Sequence, residues 1–144
     1  MPGTYQNIVT KKYINELSYQ IIGAAIEVHK YLGPCLLESV YKKCLERELE
    51  LKGISFTTEE TLSLDYKGVR FPALLRYDML VEELIIVELK AIEMLLPIHE
   101  ATTMSYMKLL YKPKGILVNF HCVNIWKDGQ ETFVNEFFAQ LPDE

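Results

Sequence analysis

The chain is poor in every residue type that would mark a specialised architecture. Seven Gly and six Pro in 144 residues are too few for collagen or a low-complexity segment, and no internal repeat recurs at a solenoid period. The three cysteines, Cys35, Cys44 and Cys122, are odd in number and lack C-x-x-C spacing. That suggests neither a disulfide framework nor a zinc site, and reduced core thiols are the expectation. No apolar run approaches the roughly 20 residues of a membrane-spanning helix, and Met1-Pro2-Gly3-Thr4-Tyr5-Gln6-Asn7 lacks the apolar stretch of a secretory signal. A cytoplasmic location with no membrane partner is the expectation. Positive charge is also short: 15 Lys and Arg against 20 Asp and Glu give a net charge of −5, the wrong sign for unspecific attraction to nucleic acid. Any contact with DNA or RNA must use a local basic patch, with a divalent cation at an acidic site supplying part of the positive charge.

What is present is the composition of an ordinary globular chain, 49% hydrophobic and 24% charged, of a length that supports one core; a single domain over residues 1–144 is expected. Ile14, Leu17, Ile21, Ala25, Val28 and Leu32 recur at spacings of three and four, which predicts an amphipathic helix. Leu32-Gly33-Pro34 ends it. A second helix is predicted from about Cys35 or Leu36 to Lys52, stopped by Gly53. Its buried stripe runs back through Leu49, Leu45 and Tyr41 to Glu38, so a carboxylate lies on or beside an apolar line.

From Ser55 the pattern turns to alternating and β-branched residues. Phe56-Thr57-Thr58 and Thr61 to Tyr66 lead to the turn signal Lys67-Gly68 and another extended run from Val69, a hairpin. Strands follow at Leu75 to Val81 and Ile85 to Lys90, joined by Glu82-Glu83-Leu84. A third helix is predicted over about His99 to Tyr111, with Met104, Met107, Leu110 and Tyr111 packing, and His99 at its start as a cap. Ile116 to Phe120 reads as a core strand, Val123 to Trp126 as a further strand, and Phe133 to Leu141 as a closing helix.

The chemistry-bearing residues lie on the paired strands. Side chains alternate along a strand, so Glu88 and Lys90 share a face. A two-residue loop would set Asp78 opposite Val87, whereas a three-residue loop at Glu82-Glu83-Leu84 sets Asp78 opposite Glu88. Two opposed carboxylates need a cation or a shared proton. Mg²⁺ or Mn²⁺ takes one or two carboxylates plus water and phosphate oxygens, which suits Asp78 and Glu88, with Lys90 placed to act on an attacking water. The plain alternative is that Glu88 and Lys90 neutralise each other on an exposed sheet face; Glu38 weighs against it, because a buried carboxylate needs a partner.

These residues resemble the GxxExxY family, which is placed in the PD-(D/E)xK nuclease superfamily. The likeness rests on Ile22-Gly23-Ala24-Ala25-Ile26-Glu27-Val28-His29-Lys30, Leu36-Leu37-Glu38-Ser39-Val40-Tyr41, Ile86-Val87-Glu88-Leu89-Lys90-Ala91 and Leu96-Pro97-Ile98-His99-Glu100-Ala101. It implies an α/β, restriction-endonuclease-like core, a mixed β-sheet flanked by α-helices with two N-terminal helices preceding the sheet. It further implies Asp78 and Glu88 as metal ligands, Lys90 as the catalytic lysine and Glu38 as the acidic residue of the leading helix. Cys35 replaces the motif's first glycine, and Thr102 stands where the family commonly carries a glutamine.

The function expected is Mg²⁺- or Mn²⁺-dependent hydrolysis of DNA or RNA. The rival is a non-catalytic nuclease fold serving as an interaction module or homodimer. His29, Tyr41, Tyr106 and Lys108 are further candidates for substrate contact, each with a core or solvated role as the alternative. Lys108, Lys112 and Lys114 form the best local basic cluster.

Overall fold

The computed structural model describes residues 8–144; the opening segment Met1 to Asn7, where no leader is expected, lies outside the described residues. Helix α1 spans Lys11–Leu32 and starts three residues before the first apolar position, because the Thr10 hydroxyl accepts a bond from the Tyr13 N–H (3.0 Å) and caps it. Its stripe Ile14, Leu17, Ile21, Ala25 and Val28 is buried. Gly33, at φ 77°, closes it, with its N–H on the His29 carbonyl.

Helix α2, Glu38–Leu51, begins later than expected. The Tyr41 hydroxyl donates to the Gly33 carbonyl and accepts from the Leu36 N–H, which ties Gly33 to Leu37 into a non-helical corner. Glu38 becomes the first helical residue, where a negative charge meets the positive end of the helix dipole.

Strands β1 (Phe56–Thr57), β4 (Met79–Val81), β5 (Ile85–Lys90), β6 (Lys114–Asn119) and β7 (Gln130–Val134) form one sheet in the order β1-β4-β5-β6-β7. All neighbours are antiparallel except β5 and β6, which are parallel and joined through helix α3 (Pro97–Leu109). This is a mixed sheet flanked by helices, with two helices ahead of it. Among the described residues, strands β2 (Glu60–Tyr66) and β3 (Val69–Leu75) pair only with each other. Lys67 at φ 51° and Gly68 at φ 88° make their two-residue turn.

The strand expected over Leu75 to Val81 is divided. The chain leaves the hairpin at Leu75 and joins the main sheet at Met79. Tyr77 is buried at the crossing, where its hydroxyl donates to Glu60 and shares a hydrogen bond with the Thr57 hydroxyl.

Other differences follow from local capping. Helix α3 starts at Pro97 and stops before Tyr111, which adopts φ 57°. Met107 and Leu110 pack as expected, but Met104 and Tyr111 are exposed, and Thr103 takes the buried place. Val123 to Trp126 is not a strand: Asn124 caps a π-helical turn, Ile125–Gly129. Phe133 belongs to β7, and Asn135, accepting from the Phe137 and Phe138 N–H groups, restricts the closing helix α4 to Glu136–Ala139. Among the thiols, Cys35 is exposed and only Cys44 and Cys122 adjoin the core.

The two faces of the sheet are covered differently. Val87, Leu89, Ile116 and Val118 meet α1 and α2, whereas Leu80 and Ile86 meet Met107 of α3 and Leu110 at its C-terminal cap. Gly115 lets α3 approach closely, since a Cβ there would lie 2.7 Å from Met107 Sδ and 2.8 Å from Thr103 Cγ2. Gly115→Ala is expected to cost about 1–3 kcal/mol by overpacking, read as a lower urea midpoint at unchanged m-value. Among the described residues, no helix is long and apolar enough to cross a membrane.

Candidate active site

The connection between β4 and β5 is the three-residue turn Glu82-Glu83-Leu84. Glu82 and Glu83 adopt φ 54° and 60°, a conformation that side chains disfavour. Glu82 is held there by exchanging backbone and side-chain bonds with Ser55 (2.9 and 3.1 Å). The resulting register pairs Val81 with Ile85, Leu80 with Ile86 and Met79 with Val87. One step further, Asp78 faces Glu88.

The two acids meet by a crossed arrangement. The Asp78 N–H donates to Glu88 Oε1 (3.1 Å), and the Leu89 N–H donates to Asp78 Oδ2 (2.8 Å). Side chains thus take over the ladder where β4 ends, and each carboxylate keeps one oxygen clear of these bonds. Glu88 is only 7% exposed. Burial, and then the charge of Asp78, push its carboxyl up to about 8, against the lowering effect of Lys90 and of the Asp78 backbone bond.

By alternation along β5, Glu88 and Lys90 lie on the face of Ile86, toward α3. Tyr106 of α3 stands near them: its hydroxyl donates to the Arg76 carbonyl (3.2 Å), its ring meets Tyr77 edge-on, and burial with the charges of Glu88 and Asp78 raises its hydroxyl pKa. Glu38 enters from α2. Its carboxyl is raised by partial burial and by Asp78, and lowered by Lys90 and Lys42, so it shares the field of the same acid and the same lysine.

The remaining candidates are placed elsewhere. Tyr41 is fully buried, stacked on Phe120 at 4.3 Å, with its hydroxyl spent on the α1–α2 corner, so it does not reach a substrate. His29 bonds through Nε2 to the Cys122 carbonyl (2.9 Å) and pins the β6–β7 connection. Lys108, two residues from Tyr106 and so on another side of α3, lines a groove with Met104 and Phe137. The basic cluster is dispersed as well, since Lys112 pairs with Glu83 (3.7 Å) and Lys114 is buried against Asn15. Thr102 is exposed and bonds back to the Ile98 carbonyl (2.8 Å). His99 caps α3 by accepting the Leu96 N–H.

Sequence reasoning missed Asn119, whose only signal was a polar residue inside an apolar run. It sits beside Lys90 in the parallel register, accepts from the Ile92 and His121 N–H groups and donates to the Ile92 carbonyl. It thereby holds the chain just after the lysine.

Two facing carboxylates, one strongly buried and reluctant to ionise beside the other, form an oxygen-only donor set that fits a hard divalent cation. Among the described residues no three His, Cys, Asp or Glu side chains converge on one point. Mg²⁺ commonly needs no more than one or two carboxylates, and Glu38 stands within the field of Asp78.

No curated protein matches the chain. Among solved structures, the crystal structure of SSO0001 is similar, with a TM-score of 0.53 and 17% identity over 89% of this chain. The chain spans 65% of the length of that protein, and at this identity the likeness concerns the fold. The sequence profile of the PD-(D/E)XK nuclease superfamily matches residues 15–131, from α1 through the sheet into β7, including every acid and lysine of the site. The chain belongs to the PD-(D/E)XK nuclease superfamily.

Proposed function

We propose that the protein is a cytoplasmic, metal-dependent phosphodiesterase that cleaves DNA or RNA, built as one nuclease-like domain of the GxxExxY type. The observation that carries this reading is the crossed pairing of Asp78 and Glu88 with Lys90 on the same strand face. Asp78 and Glu88 would hold Mg²⁺ or Mn²⁺, which when bound supplies positive charge for the phosphate and lowers the pKa of a water. Lys90 orients the attacking water, exchanges its proton and steadies the charge developing on the phosphate oxygens. Glu38 positions Lys90 and that water through its own charge. The Tyr106 hydroxyl, close to the acids, is the substrate contact.

The test is incubation of the purified protein with single-stranded and duplex DNA and RNA in Mg²⁺ or Mn²⁺. Cleavage that EDTA stops is the expected result; intact substrates with both ions would overturn the reading. The second reading is a non-catalytic nuclease fold that binds a partner or a second copy of itself. It draws on Thr102, whose short side chain is spent on its own helix, and it requires that no substrate be cut.

A further inference from the structure

On the face of the sheet opposite the acid pair lies a cavity of about 220 Å³ between α1, the start of β6 and β7. Lys114 opens β6, in register with Ile85 and on the side of Ile116 and Val118, so its side chain passes toward α1. There the residue is 8% exposed, and its ammonium donates to Asn15 Oδ1 (3.2 Å). An ammonium carries three N–H donors, and among the described residues no carboxylate lies within 4.0 Å of this one. A buried cation without a counter-charge is costly, and burial lowers the pKa of Lys114.

Ser18 lines the same cavity from α1 and is 5% exposed. A serine inside a helix ordinarily returns its hydroxyl to the carbonyl one turn back. Ser18 Oγ does not, and among the described residues it is the one buried side-chain oxygen or nitrogen without a hydrogen-bond partner. Thr132 and Gln130 add a hydroxyl and an amide, and Tyr19 and Trp126, stacked at 5.8 Å, form an aromatic rim. The lining offers the Lys114 ammonium and the Ser18 and Thr132 hydroxyls, which suit a ligand that brings oxygens and negative charge.

We propose that this cavity is a binding site for a small oxyanion, a phosphate or carboxylate group seated between Lys114 and Ser18, with its organic part against Tyr19 and Trp126. At about 30 Å³ per water-sized volume, the space admits the anionic group and a small substituent but not an extended chain. The site is separate from Asp78, Glu88 and Lys90 and does not rest on the nuclease reading.

Trp126 is the only tryptophan, so its fluorescence reports on the cavity. Inorganic phosphate, phenyl phosphate and benzoate are titrated into the full protein at constant ionic strength, with potassium chloride as the control. A saturable change with at least one of the three, absent with chloride and accompanied by a rise in Tm, is expected; which of them binds tighter separates phosphate from carboxylate. Lys114→Met should weaken binding at least tenfold and Ser18→Ala about two- to tenfold, while Asp78→Ala leaves it unchanged. Should Lys114→Met fail to fold, Ser18→Ala and the wild-type Tm shift decide. The absence of a saturable response to all three, or equal affinity in folded Lys114→Met and Ser18→Ala, overturns the proposal.

Discussion

Freed of metal by EDTA, the protein should melt at a higher temperature at pH 5.5 than at pH 8.5, and Glu88→Gln should abolish most of that difference. The folded Glu88 carboxyl titrates near 8 rather than 4.5, because it is buried and faces Asp78. Between those values the native state holds a proton that the unfolded chain has released, so stability falls as pH rises through that window. The contribution is fully present below about 4.5 and gone above about 8. A tenfold difference in proton affinity is about 1.4 kcal/mol, and the loss across the window is expected to be roughly 2–4 kcal/mol. Glutamine keeps an oxygen for the Asp78 N–H and turns an amide N–H toward the Asp78 carboxylate, which removes the repulsion. At pH 8.5 the variant should therefore melt above the metal-free wild type. Mg²⁺ should stabilise the wild type more at pH 8.5 than at pH 5.5, since binding displaces the proton, and the variant far less. Melting followed by circular dichroism at the two pH values, with and without Mg²⁺, decides it. A wild type indifferent to pH, or a variant with the same slope, would remove the buried Glu88 carboxyl as its cause.

That repulsion was legible in the sequence through loop length alone. Counting three residues, Glu82-Glu83-Leu84, rather than two between the strands was enough to set Asp78 opposite Glu88, and the register of β4 on β5 has that count. The stripes of α1 and α2 were legible for the same reason, because a period of 3.6 or 2 is local. What opposes the acids' charge was not. The expectation of a cation or a shared proton left out the backbone, where Asp78 and Glu88 each accept an N–H across the strand pair.

Elsewhere, what a side chain does depends on partners that the sequence pattern does not show, several of them distant in the chain. Tyr41 reads as a rim aromatic until its hydroxyl is found closing the α1–α2 corner and its ring lying on Phe120. His29 bonds 93 residues away, and Lys114 reaches Asn15 across 99. The lysines at 108, 112 and 114 are close in sequence and form no patch, because a helix end, a left-handed residue at Tyr111 and a strand start turn them to different sides. Short polar caps, Asn124 and Asn135, likewise decide the tail against its apolar pattern.

Removing Lys90 should lower cleavage far more than it lowers metal affinity, whereas removing Asp78 should remove both. A positioned group that moves a proton contributes on the order of 10²–10⁴-fold to a rate, so Lys90→Met is expected to lose that much in kcat. Asp78→Asn takes away one of the two charged oxygen donors, and Mn²⁺ binding followed by calorimetry should weaken with activity. Lys90→Arg separates the lysine's two roles: arginine keeps the charge but does not release its proton in this pH range. If charge alone matters, Lys90→Arg retains most of the rate; if proton exchange matters, it falls with Lys90→Met. Lys90 also holds the proton affinity of Glu88 down. Its loss therefore raises that affinity further, and the pH at which Mn²⁺ binding is half-maximal should move upward in Lys90→Met but much less in Lys90→Arg. A Lys90→Met protein that cuts at the wild-type rate would remove the lysine from the chemistry and leave the carboxylate pair as a binding site alone.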